Sequence, residues 1–247
     1  MLNERERLEA DCLAVIRDAD QPVGCGTLSS VLRQLGHVVS EATVGRLLRD
    51  FDQTGYTQKA GFQGRVLSAA GRERLAALAD KERSLQWGAE FSEAIKGHDK
   101  EKLLEVLIAR RAIESELAAL AAVNATAEEL RLLNAIVDEQ RRTLAAGEMT
   151  ARQDVDFHAM IARMARNQIL ASAIGLIRQD TQLSPVLEYI RKHVHSKLYI
   201  DHDNIRKAIL ARRSDQARQA MTAHLDSLMA DVERFWETTL TSEADAE

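Results

Sequence analysis

Residues 149–167 read "MTARQDVDFHAMIARMARN". The stretch has the look of a helix, and it places Asp154 and His158 one turn apart. Residues at that spacing share a face, with Cβ atoms roughly 5–6 Å apart. An acid and an imidazole so placed can share a cation, share a proton, or form a solvated edge. The surrounding chain has to decide between these, because the stretch sits beside ordinary core residues, Phe157 and Ile161.

A chain of 247 residues is large for a single core, and two domains are expected. The composition is 45% hydrophobic and 29% charged with only 2 prolines, which favours a soluble, mostly helical protein. No apolar run of about 18 residues is present, so no membrane span is expected. The opening "MLNERERLEAD" lacks the apolar core of a signal peptide. Cys12 and Cys25 form no CxxC pair, and a reduced, cytoplasmic chain is the simpler reading. Net charge is −5, which argues against a general polyanion binder. Between residues 33 and 74, however, seven Arg/Lys stand against four acids, a basic island of +3.

That island lies in the first eighty residues. Leu8, Cys12, Val15, Ile16 and Ala19 repeat at helical spacing, and "QPVGCG" then breaks the pattern. Thr27 is placed to cap a second helix carrying Leu28, Val31, Leu32 and Leu35, stopped at Gly36. Ser40 is placed to cap a third, with Val44, Leu47, Leu48 and Phe51 on one face and Gly55 at its end. "YTQKAGFQGRVLS" follows as two short strands around a glycine-containing turn. Three helices and a hairpin in this order make a winged helix-turn-helix, expected over residues 1–80. If the third helix buries its apolar face, Ser40, Ala42, Thr43, Arg46 and Arg49 lie on or near its outer side. Small residues at its start let it approach base edges, and the arginines reach guanine or phosphate. Lys59 and Arg65 flank the wing, where backbone phosphates would lie. Winged helices also serve as protein-contact modules; outward arginines and a basic wing favour double-stranded DNA. The stretch "SEATVGRLLRDFDQTGYTQKAGFQGRVLSAAG" resembles the N-terminal winged helix of NrpR-type repressors, with its Ser-x-x-Thr-Val-x-x-x-Leu helix, Gly-Tyr/Leu-Thr and glycine-containing wing.

Residues 81–102, interrupted by Gly88 and Gly97, read as a linker with a short helix. From residue 103 to about 240 the chain is a string of seven amphipathic helices without strand signals, expected to form an antiparallel all-α bundle. Thr126 and Glu129 make a capping box, Gly147 ends that helix, Ser184-Pro185 opens another, and Ser214 caps the last. His158, His202 and His224 fall where apolar periodicity points inward. With Asp154 they are three imidazoles and a carboxylate from three helices, an N/O donor set for zinc, nickel, manganese or iron. Taken singly, each histidine is more often a satisfied core or surface residue than a ligand. Burying all of them without a metal leaves polar atoms to satisfy.

Residues 103–236 resemble the ligand-sensing FCD domain of the FadR branch of GntR-type repressors. Arg110 and Glu114 match its Arg-x-x-x-Glu opening helix, Asp154 and His158 its Asp-x-x-Phe-His, and Asn167 the asparagine that follows. "DHDNIRKAILARRSDQARQAMTAHL" matches its His-x-x-Ile and Met-x-x-His-Leu ending. The resemblance implies a divalent metal (Zn, Ni or Mn) at Asp154, His158, His202 and His224, and an organic-acid effector. The family's usual winged helix differs from the one here, so operator sequence and half-site geometry do not carry over.

Arg110 offers a bidentate partner to a second acidic group of a small carboxylate; its plainer role is an ion pair with Glu114 at i+4. His193 and His195 are two residues apart and cannot share a helical face; one of them, taken as His195, would turn toward the effector. The expected function is a ligand-responsive, DNA-binding transcriptional regulator, a repressor working as a homodimer, and not an enzyme. A metal-dependent hydrolase using the same four residues and a protein-interaction scaffold are the competing readings.

Overall fold

In the computed structural model, which describes residues 1–196 and 198–244, the chain divides into two compact units, Met1–Phe91 and Ser92–Glu247. Each has its own apolar core.

The first unit opens with α1 (Glu4–Asp18), held at its start by a reciprocal capping box between Asn3 and Glu6. Its buried side chains are Cys12, Leu13 and Ile16. Helix α2 spans Cys25–Gln34, starting earlier than a Thr27 cap requires. Gly24 already takes the extended cap conformation, and its carbonyl accepts the Leu28 N–H. Thr27 therefore lies inside the helix, and Leu35, expected inward, is exposed beyond it. Helix α3 (Glu41–Gln53) is capped by Ser40, which accepts the Thr43 N–H, and buries Val44, Leu48 and Phe51. Strands β1 (Thr57–Lys59) and β2 (Arg65–Leu67) pair antiparallel, with Gln58 opposite Val66.

Asp52 of α3 anchors this hairpin. It accepts from Thr57 Oγ1 at 2.8 Å and from Arg65 Nη2 at 2.9 Å. The helix after the hairpin, α4 (Ala69–Ala94), crosses closely over it at Gly71, where a Cβ would lie 2.1 Å from the Tyr56 carbonyl oxygen. Only a residue without a side chain permits that approach.

The expected linker over 81–102 is mostly helix. Helix α4 runs through Gly88 to Ala94, and the chain leaves helical geometry only toward Gly97. One interior glycine costs about 1 kcal/mol relative to alanine, too little to break a helix flanked by strong helix formers.

The second unit contains, among the described residues, α5 (Lys100–Asn124), α6 (Ala127–Ala145), α7 (Ala151–Met164), α8 (Gln168–Ile177), α9 (Leu183–His193), α10 (Leu198–Leu210) and α11 (Ser214–Ala244). Helix α6 carries the Thr126–Glu129 capping box, and Asn167 caps α8 by accepting the Leu170 N–H. Helix α9 starts at Leu183, which puts Ser184 and Pro185 in its first turn. Helix α11 packs along α5 and against α10 and α9, while α7 packs on α5 and α6. Leu107, Leu117, Phe157, Ile161, Ile205, Ile209, Met221 and Leu225 fill the space between them. The fold is mostly α, a winged helix-turn-helix followed by an all-α bundle. No helix of the described residues is long and apolar enough to cross a membrane. Cys12 and Cys25 are both free thiols.

Candidate metal centre

Helix α7 contributes Asp154 and His158, α10 contributes His202, and α11 contributes His224. One donor atom from each lies within 4.8 Å of the others. The Nε2 atoms of His158 and His202 are each 3.5 Å from Asp154 Oδ1. A cation held at about 2.0–2.2 Å spaces neighbouring donors by about 3.0–3.5 Å, so these separations suit a common ion. All three histidines are buried, and Phe157 stacks on the His202 ring at a centroid distance of 4.2 Å.

The remaining ring nitrogens face outer partners. His202 Nδ1 is 2.8 Å from Gln140 Oε1 on α6. His158 Nδ1 is in close contact with Glu114 on α5, and His224 Nδ1 lies 3.5 Å from Asp201 Oδ2. An acceptor at Nδ1 favours the tautomer that leaves the Nε2 lone pair free. The Nε2 atoms of all three rings are buried and make no hydrogen bond. Orphaned polar atoms of this kind are costly in an interior, and a shared cation would satisfy all three together.

Electrostatics prepares the donors in the same sense. Burial pushes the Asp154 carboxyl up, but Arg178 and the neighbouring imidazoles outweigh it and hold it well below the usual range. Glu114 behaves likewise, burial being overcome by Arg110, His158 and Arg178. Burial, with His224 nearby, drives His202 well below the ordinary imidazole value. Burial brings His224 down to about 4 despite its contact with Asp201. Neutral rings at His202 and His224 beside an ionised carboxylate are protonation states that a metal requires.

Three buried arginines, Arg178, Arg110 and Arg191, lie around the cluster. Arg178 Nη2 donates to Asp154 Oδ2 at 2.8 Å, and Ser184 Oγ donates to the same oxygen at 2.9 Å. Arg110, fully buried, donates from Nε to Glu114 Oε1 at 2.6 Å, which is the plain i+4 ion pair. Its Nη2 has no hydrogen-bond partner. Arg110 also lines a small cavity with Asp154, Ser184, Glu188 and Arg191. Arg191, equally buried, pairs with Asp231 and Asp201 and keeps Nη1 without a partner.

Of the expected effector-contacting set, Arg110 and Glu114 therefore reach the cluster. His195 does not: it is exposed just beyond α9, with a φ of 56°, and lines neither this cavity nor the groove between α7 and α8. A left-handed residue past a helix end turns its side chain according to the cap and not the helix face. Gln140, Arg178, Arg191 and Asp201 are neighbours of the cluster that the sequence does not point to. The signal for Gln140 is its place after Leu133 and Val137 on the buried face of α6. Ser184, Glu188 and Arg191 form a similar polar stripe along the buried side of α9.

On the winged helix, Ala42, Arg46 and Arg49 are exposed on α3 and Thr43 is half-buried, while Ser40 spends its hydroxyl on the cap. Lys59 is exposed. Arg65 departs from the expectation of a phosphate-facing side chain. It is half-buried and clamped on Asp52 through Nε and Nη2, so its guanidinium fastens the wing to α3.

Residues 105–227 match the family model of the FCD domain, and residues 10–75 match that of the Ribonuclease R winged-helix domain. The narrower likeness of the latter segment to NrpR-type repressors rests on its sequence motifs alone. The Exu regulon transcriptional regulator of Escherichia coli K12 is 30% identical over 130 residues, covering 50% of this chain and 48% of that protein. The HTH-type transcriptional repressor NanR of Klebsiella aerogenes is 32% identical over 119 residues, covering 47% and 46%. LutR of Bacillus subtilis, an HTH-type transcriptional regulator, is 28% identical over 139 residues, covering 54% and 62%. The chain spans about half the length of the first of these relatives. Its second unit carries an FCD domain, as the matched stretch of residues 105–227 shows.

Proposed function

We propose that this chain is a cytoplasmic, DNA-binding transcriptional repressor that works as a homodimer and senses a small organic acid at a divalent-metal site. The observation that carries the reading is the convergence of Asp154, His158, His202 and His224 with three buried, unbonded Nε2 atoms. These four residues would hold zinc, nickel or manganese, and the bound ion would supply a cationic anchor for a carboxylate. The residues around it have distinct tasks. Gln140 orients the His202 ring by a hydrogen bond, Glu114 and Asp201 face Nδ1 of His158 and His224, and Arg178 and Ser184 fix the Asp154 carboxylate. Arg110 and Arg191 keep spare guanidinium N–H groups at the small cavity beside the cluster, adding positive charge near the anchor.

Helix α3 presents Arg46 and Arg49 for a DNA major groove, and Lys59 reaches toward phosphate beside it. One winged helix reads one half-site, so a dimer is needed for a complete operator. Effector binding in the bundle would bias a two-state arrangement that is read out as operator affinity.

The hydrolase reading is less well supported. A general base works best with a pKa near the operating pH. Asp154 and Glu114 are both held well below the usual carboxylate range, and Asp201 is lowered too, where burial is outweighed by His224 and Arg191. The test is metal content by elemental analysis together with duplex binding. Wild type should retain about one divalent ion per chain and bind a duplex selected from a random-sequence pool. His224→Ala should lose the ion. Full metal retention by His224→Ala sinks the ligand set, and metal-dependent hydrolysis without duplex binding sinks the regulator.

A further inference from the structure

The cavity lined by Arg110 and Arg191 is nearly filled, at about 10 Å³, room for roughly one water. A second approach to the cluster is roomier. Between α7 and α8 lies a groove of about 380 Å³, with His158 and Arg178 among its lining residues. Val155, Ala159 and Ile174 contribute to its walls, and Arg163 is its other charged residue. The walls offer no side-chain hydroxyl or amide to a polar ligand.

Two features point to an occupant. Arg178 is nine-tenths buried, and its Nη1 makes no hydrogen bond; Glu114 Oε1 stands 3.7 Å from it. Its Nη2 is already committed to Asp154, so Nη1 can take an anion without disturbing that bond. Gly175 lines the same groove and sits inside α8, where a glycine weakens the helix. A Cβ added there would meet nothing within 4 Å, so packing within the chain does not require a glycine. What its absence of side chain does provide is open space in the groove.

We infer that this groove is an effector subsite: it receives the apolar tail of a carboxylic acid whose head lies at Arg178 beside the cluster. The ligand class is then an alkyl or aryl carboxylate and not a densely hydroxylated acid. The inference rests on the organic-acid reading above and narrows it. Burial of a short alkyl tail stabilises binding by about 0.8 kcal/mol per methylene, and partial burial of a few of them corresponds to about ten-fold in affinity.

The experiment is calorimetric titration of the full, zinc-supplemented chain with acetate, hexanoate and gluconate. Hexanoate should bind about ten-fold more tightly than acetate. Gly175→Trp, which fills the groove, should abolish that preference while leaving the acetate affinity within about two-fold. Gly175→Leu gives a second, smaller filling should the indole disturb α8. Equal affinities for acetate and hexanoate, a preference untouched by both fillings, or tighter binding of gluconate overturns the groove and leaves acid sensing standing. Failure of all three acids to bind overturns the acid-sensing reading and the groove with it.

Discussion

Glu114 shows how much one carboxylate can carry in this interior. It pairs with Arg110, touches His158 Nδ1, and lies 3.7 Å from Arg178. Replacing it with the neutral amide of nearly the same shape, Glu114→Gln, leaves the Arg110 guanidinium buried without its counter-charge. Breaking a buried pair in this way costs about 3–5 kcal/mol, and urea unfolding should register a loss of that order. The histidines set the acid limit of the metal-stripped protein. His224 has a folded value of about 4 against an ordinary 6.5, and His202 is shifted in the same direction. Below the ordinary value the unfolded chain takes up protons that the folded chain refuses, so stability falls as pH falls from about 6.5 toward 4. On the order of 3 kcal/mol should disappear over that window from His224 alone, read as a falling urea midpoint. A midpoint flat across the window would mean that the imidazoles are not held neutral.

The hairpin and α4 depend on one close crossing. Gly71→Ala would drive a methyl group into the Tyr56 carbonyl, at 2.1 Å. Overpacking of this kind costs about 1–3 kcal/mol, and amide exchange should quicken in β1, β2 and the start of α4 while α5–α11 stay protected. The cap at Ser40, the capping box at Thr126 and the stops at Gly36, Gly55 and Gly147 are all legible in the sequence, because local hydrogen bonding and backbone sterics fix them. Thr27 and Gly88 mislead for the complementary reason. A threonine is a cap only if the backbone has not already turned helical, and a single glycine does not stop a long helix.

Across the full chain, the regulator reading makes a demand on DNA binding as a function of salt. Arg46→Ala should weaken binding of the selected duplex, and if Arg46 meets phosphate the log–log salt slope should shrink by about 0.9. If it reads a guanine edge instead, affinity should drop by about 1–3 kcal/mol with the slope nearly unchanged. Unaltered affinity would remove α3 as the recognition helix. The sequence by itself determined a winged helix followed by a helical bundle and the four candidate donors, since periodicity, capping and the spacing of Asp154 and His158 are local properties of the chain. Only the tertiary structure decided the rest: that Arg65 clamps Asp52, that His195 lies outside the cluster, and that Gln140, Arg178, Arg191 and Asp201 surround it. Those pairings join residues ten or more positions apart or turn on the geometry of a single loop. Charge and hydrogen-bonding capacity can be read from a sequence, but which partner satisfies them is settled by the packing of helices against one another.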